Sequence, residues 1–124
     1  MKKLSYTYYP GCSVKGMHKP YEVSVKQIAS ILGIEMNELQ DWNCCGATAY
    51  MSVDEMRSFI LSARNLALAE REGKDIMTIC AACYNVLNKS NHYFDEEPSL
   101  KAKITEALAA ANLTYNGTTR VRHL

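Results

Sequence analysis

Five cysteines constrain this chain more than any other feature: Cys12, the vicinal pair Cys44-Cys45 with Gly46 after it, and Cys80 and Cys83 separated by two alanines. Together they read C-x31-C-C-G-x33-C-x2-C, and no cysteine is left over. Five is an odd number, so a framework of disulfides alone strands one thiol. A fold for this chain must therefore bring three separated thiol groups into an arrangement with some other use.

The stretches between them alternate in period. Leu4 to Tyr9 is β-prone and Pro10-Gly11 ends it, which puts Cys12 in a loop that also holds Gly16. A helix is expected from about Pro20 to Leu32, with Val25, Ile28, Ala29 and Leu32 on one face and Gly33 after its end. Ile34 to Leu39 reads as a strand, and Asp41-Trp42-Asn43 leads into the doublet. Ser52 with Glu55 three residues on is a capping-box pattern. It opens a helix carrying Met56, Phe59, Ile60, Ala63, Ala67 and Glu70, with Gly73 as terminator. Lys74 to Ile79 returns as a strand ending at Cys80. Cys83 then falls in the first turn of a third helix that turns Val86 and Leu87 inward. Pro98 separates it from a fourth, Ser99 to Ala111, with Leu100, Ile104, Leu108 and Ala111 on one face. Leu113 to Tyr115 is expected as a short final strand, Asn116-Gly117 as a turn, and Thr118 to Leu124 as extended chain.

This alternation predicts an α/β fold: one domain over residues 1–124, with a small parallel sheet, helices on both faces and right-handed crossovers. Ligands in such sheets bind beyond the carboxyl ends of the strands. Cys12 follows the first strand, Cys44-Cys45 the second and Cys80 the third, so one edge is expected to gather all five thiols.

Composition narrows the chemistry. A hydrophobic fraction of 48% and a charged fraction of 22% suit a globular domain, and a net charge of +1 offers nothing that favours nucleic acid. No apolar run approaches the roughly 20 residues that span a bilayer. The start, Met1-Lys2-Lys3-Leu4, lacks the apolar core of a secretory signal, so a cytoplasmic location is expected, where thiols stay reduced. A lone C-x-x-C is shared by zinc sites and redox dithiols. The adjacent Cys44 and Cys45 argue against a simple dithiol, because neighbours rarely close an unstrained disulfide. A closed zinc site needs four ligands; five thiolates, two of them neighbours, suit a cluster of several irons better. Gly46 lets backbone pass close to a bulky inorganic core.

Tyr8-Tyr9-Pro10-Gly11-Cys12-Ser13, Asp41-Trp42-Asn43-Cys44-Cys45-Gly46-Ala47, Ala63-Arg64-Asn65-Leu66-Ala67 and Cys80-Ala81-Ala82-Cys83-Tyr84-Asn85 together resemble the cysteine-rich CCG domain, and above all that of the heterodisulfide reductase B-subunit family. The resemblance covers nearly the whole chain. It implies a non-cubane [4Fe-4S] cluster ligated by Cys12, Cys44, Cys45, Cys80 and Cys83, in an enzyme that cleaves the disulfide of coenzyme M and coenzyme B. It also implies a second CCG domain, with substrate between the two, and electrons from iron–sulfur and flavin subunits. This chain carries one copy of the motif, so it looks like the N-terminal half of such a subunit, incomplete as a reductase when alone. The doublet-to-Cys80 spacing is at the short edge for the motif, which a small loop difference explains.

Two other readings stand beside this one: a structural or assembly domain that binds zinc at four of the thiols, and a metal-free dithiol exchanger using Cys80 and Cys83. Tyr8, Tyr9, Trp42 and Tyr84 flank the cysteines and are expected to pack rather than conduct electrons. His18 and His92 are expected to be solvated, and His123 to lie in a region facing a neighbouring domain. Arg64 and Asn65 are expected to tie loops near the site.

Overall fold

The computed structural model describes residues 4–46 and 54–124, with Cys12 and Ser13 described by their backbone alone. The elements run β1 (Ser5–Tyr9), α1 (Cys12–Gly16), α2 (Lys19–Ile31), β2 (Glu35–Glu38), α3 (Glu55–Glu72), β3 (Ile76–Thr78), α4 (Ala81–Glu96), α5 (Pro98–Ala110) and β4 (Val121–His123). The strands form one sheet in the order β2-β1-β3-β4, every pair parallel, with Tyr8 opposite Glu38 on one side and Met77 on the other.

Successive side chains of β1 point to opposite faces, and each face has its own core. Tyr9 joins Phe59, Leu66, Ile76, Leu87, Phe94 and Ile104 in the larger one, under α3, α4 and α5. Tyr8 joins Val14, Val25 and Ile79 in the smaller one, under α1 and α2. Helices therefore cover both faces, as the alternation of the sequence requires. The chain leaves β1 toward one face and β3 toward the other. The crevice between these two strand ends is thus a topological switch point, the place where open α/β sheets present ligand sites.

Pro20 does sit in the first turn of α2, Gly73 does end α3 in the left-handed conformation at φ 73°, and Pro98 does open α5. Other expectations are corrected. Cys12 begins a short helix rather than lying in a loop. The capping box gives way to Asp54, whose carboxylate accepts the Arg57 N–H at 3.2 Å; Ser52 lies outside the described residues. Val25 and Ala29 are buried on α2 as expected, but Ile28 and Leu32 are exposed, and Glu22 takes the remaining inward position. Ala111 is likewise exposed on its outer turn. Leu113 to Tyr115 forms no strand, although Leu113 and Tyr115 are buried. The extended tail supplies the fourth strand instead, because Glu70 captures the preceding turn. Its carboxylate accepts from Asn116 N–H at 3.0 Å, Thr118 N–H at 3.0 Å and Thr118 Oγ1 at 2.7 Å. No helix among the described residues is long and apolar enough to cross a membrane.

Candidate metal centre

Each cysteine stretch reaches the carboxyl edge of the sheet by a local device. After β1, Gly11 takes φ 80°, and a Cβ there would stand 2.9 Å from Cys83 Sγ. The backbone that delivers Cys12 thus passes directly against Cys83, which no residue with a side chain could do unaltered.

After β2 the chain turns at Asp41, itself at φ 61°, and the doublet loop docks on α3. Asn65, fully buried, clasps Asn43 from both sides: its Oδ1 accepts the Asn43 N–H at 3.0 Å and its Nδ2 donates to the Asn43 carbonyl at 2.8 Å. That carbonyl also accepts from Tyr9 Oη at 2.6 Å. Asn43 Nδ2 donates to the carbonyls of Cys44 at 2.8 Å and Leu61 at 3.0 Å, and the Ser62 hydroxyl donates to the Cys45 carbonyl. Arg64 reaches Asp41 Oδ2 at 2.7 Å and Asn43 Oδ1 at 2.9 Å. Arg64 and Asn65 therefore tie the loop, as expected from sequence. Gly46 closes it at φ 88°, and a Cβ there would meet the Ser58 carbonyl oxygen at 2.9 Å.

After β3, Cys80 is the N-cap of α4, and its Sγ accepts the Cys83 N–H at 3.5 Å. Cys83 lies in the first turn, where the helix N-terminus favours anionic sulfur. Cys45 Sγ and Cys83 Sγ, both buried, are 3.3 Å apart. Contact with Cys45, then burial, then the nearby Cys80 all push the Cys83 thiol up. Crowded thiols resist ionising together, and a bound cation removes that resistance. Cys44 is half-buried, and its Sγ accepts the Gly46 N–H at 3.4 Å.

The structure thus brings Cys45, Cys80 and Cys83 together, sets Cys44 beside them and starts α1 at Cys12 next to the group. Among the described residues, no three His, Cys, Asp or Glu side chains converge on one metal-sized point. The donor chemistry and the side-chain-free approach of Gly11 to Cys83 fit a thiolate-bound group. Gly46, expected to make room for an inorganic core, instead makes room for the α3 backbone at Ser58.

The aromatic residues pack as expected: Tyr9 and Trp42 meet edge to face at 5.5 Å between ring centres, and Tyr84 meets His123 likewise at 5.6 Å. His18 is exposed, and His92 pairs with Glu96 on the surface at 3.2 Å. Sequence reasoning overlooked a charge cluster beside the Cys12 helix. Lys15 Nζ lies 2.7 Å from Glu38 Oε1 and 3.3 Å from Glu22 Oε1; buried Glu22 also accepts from Tyr8 Oη at 2.8 Å, and Lys26 is 3.6 Å away. Glu38 in turn accepts from Trp42 Nε1 at 3.3 Å. The signal was available, since Glu22, Val25 and Ala29 share the i, i+3, i+7 stripe.

Fold and site together define a cysteine-rich α/β domain with thiols gathered at a switch point. A family model described as CCG, cysteine-rich domain, matches residues 6–88, and the chain belongs to that family. It is 36% identical to a heterodisulfide reductase B-subunit-like protein of Archaeoglobus profundus, over 98% of this chain and 41% of that protein. It is 34% identical to an 8-methylmenaquinol:fumarate reductase membrane anchor subunit of Wolinella succinogenes, over 96% of this chain and 41% of the relative. The B-subunit of a ferredoxin/F(420)H(2)-dependent CoB-CoM heterodisulfide reductase of Methanosarcina acetivorans is 33% identical, over 100% of this chain and 41% of its own length. The chain thus spans about two fifths of the length of these curated relatives. A crystal structure of a hypothetical protein from Helicobacter pylori matches the fold with a TM-score of 0.79 at 18% identity, over 98% of this chain and 25% of that one.

Proposed function

We propose that this domain is the iron–sulfur redox module of a disulfide-reducing enzyme, corresponding to the N-terminal half of a protein like the heterodisulfide reductase B-subunit. The observation that carries this reading is the 3.3 Å approach of Cys45 to Cys83 across the switch point, with Gly11 pressed on the same sulfur. Three strand ends converge there, and the five-cysteine pattern supplies the donors.

In this reading Cys12, Cys44, Cys45, Cys80 and Cys83 hold a non-cubane [4Fe-4S] cluster. When bound, such a cluster supplies electrons one at a time and an affinity for thiolate sulfur. The chain's own contribution is placement. The N-terminus of α4 offsets negative charge at Cys80 and Cys83, and the α3 dock fixes the doublet. Cys45 and Cys83 are shielded from water, while half-buried Cys44 and Cys80 leave the outer side of the site approachable by a disulfide substrate. A second CCG domain would complete the substrate site, and iron–sulfur and flavin subunits would deliver electrons. The Wolinella relative is named for a quinol:fumarate reductase, so electron transfer is the role its name shares with the heterodisulfide reductases, and the disulfide substrate is proposed from the latter.

Metal analysis of anaerobically purified protein tests the reading. It expects about four irons and four sulfides per chain with visible absorption. About one zinc and no iron would overturn it and assign the thiols to a structural or assembly role.

A further inference from the structure

Ser58, one turn into α3, is fully buried, and its hydroxyl has no hydrogen-bond partner among the described residues. Leaving a buried hydroxyl unmatched is unfavourable, and native proteins rarely carry one without a use. Its position suggests the use. Ser58, Ser62 and Asn65 stand at i, i+4 and i+7, so they share one face of the helix, and all three are fully buried. Asn65 grips Asn43, and Ser62 grips the Cys45 carbonyl. The third member lies against Gly46, the next residue of the same loop, and its backbone is within 3.0 Å of where a Cβ on that glycine would stand. The stripe thus follows the doublet loop at Asn43, Cys45 and Gly46, and the Ser58 hydroxyl meets no acceptor among the described residues. Ser5 and Ser90 also carry buried hydroxyls without partners there, but Ser5 is at the far end of β1 and Ser90 lies about two turns along α4 from Cys83.

We propose that the Ser58 hydroxyl donates a hydrogen bond to sulfur of the group held by the doublet, a thiolate or an inorganic sulfide. The inference rests on the cluster reading above. A donor directed at sulfur stabilises the more negative, reduced state, as hydrogen bonds to cluster sulfurs generally do. Ser58 would then tune the potential of the site without being a ligand.

The Ser58→Ala variant separates this from a structural role, because the two states respond with opposite sign. In metal-free protein the variant is expected to be at least as stable to urea as wild type, since an unmatched hydroxyl is removed. In iron-loaded protein it is expected to move the midpoint potential to a more negative value, by about a tenfold change in the reduced-to-oxidised ratio at fixed potential. An exchangeable proton coupled to the paramagnetic centre, visible by electron–nuclear spectroscopy in wild type, should be missing from the variant. Lost stability in the metal-free variant would overturn the proposal by showing that the hydroxyl has a partner, such as a buried water, without the metal. An unchanged potential in a variant with full iron content would also overturn it and leave the cluster reading standing. A wild-type protein that takes up no iron would remove both.

Discussion

On one face of the sheet the loop carrying Cys44 and Cys45 is fastened to α3 mainly by neutral, partly buried hydrogen bonds. Asn65, Asn43, Ser62 and Tyr9 account for most of them, and the large core lies beneath. On the other face the helix that begins at Cys12 is held by charge, through Lys15 shared between Glu22 and Glu38, over a smaller core that includes Tyr8, Val14, Val25 and Ile79. Neutral buried hydrogen bonds respond little to salt and pH, whereas ion pairs respond to both. The two fastenings at one site should therefore fail under different conditions. The α3 dock holds the doublet, Cys44 and Cys45, against Cys83, and the α1 clamp holds the helix that begins at Cys12.

The largest expected effect comes from breaking the neutral side. Asn65→Ala removes both hydrogen bonds to Asn43 and leaves its N–H without that partner inside the protein. Urea denaturation should show a loss of about 2–3 kcal/mol, with the slope of the transition unchanged. A loss below about 0.5 kcal/mol would mean that the doublet loop is held mainly by the core beneath it.

Acid should act on two carboxylates, Glu22 on the other side and Glu70 near the C-terminal end of α3. Burial alone would raise the Glu22 carboxyl, but Tyr8 Oη, Lys15 and Lys26 together outweigh it and hold the group below the usual carboxylate range. Glu70 is likewise lowered: hydrogen bonds from Thr118 and Asn116 overcome its burial. A carboxylate depressed in the folded state contributes stability above its unfolded pKa and loses it as pH falls through the folded value. Stability should thus decline on acidification below the ordinary carboxylate range. Glu22→Gln should flatten part of that decline, and Asn65→Ala should leave its shape intact. Identical pH profiles for wild type and Glu22→Gln would remove Glu22 from the account.

The contrast also explains what the sequence could and could not disclose. Strands, helices and the gathering of thiols at one edge follow from hydrophobic period and from Pro20, Gly73 and Pro98, which act locally. The α3 dock was half visible, because Arg64 and Asn65 were expected to tie loops near the site. The partner that makes the dock, Asn43, stood in the cysteine motif, but nothing local in the sequence pairs it with Asn65, 22 residues on. The α1 clamp was visible only in part: Glu22 shares the buried stripe of α2 with Val25 and Ala29, but Glu38 joins it only when β2 pairs with β1. Leu113 to Tyr115 misled for a related reason. Both ends are apolar and buried, but a ladder partner is a property of the sheet, and Val121–His123 takes that place.

The smallest expected effect is the most direct test of the comparison. Lys15 is about one third exposed, with side-chain accessibility of 33%, so its pairs with Glu22 and Glu38 work partly in water. Lys15→Met keeps most of the apolar stem and removes the charge. It should cost no more than about 1 kcal/mol in global stability. Glu22 would keep Tyr8 Oη and Lys26 as partners, which limits the loss further. The local consequence should be larger than the global one, because Lys15 is three residues along α1 from Cys12 and is the charged link from that helix to α2 and β2. In metal-free protein, Cys12 should therefore be alkylated faster in Lys15→Met than in wild type, and 0.5 M salt should narrow the gap by weakening the wild-type clamp. Cys45 and Cys83, behind the neutral dock, should react at unchanged rates. If all the thiols speeded up together, the clamp would be part of the general fold, and the division between a fixed side and an adjustable side would fail.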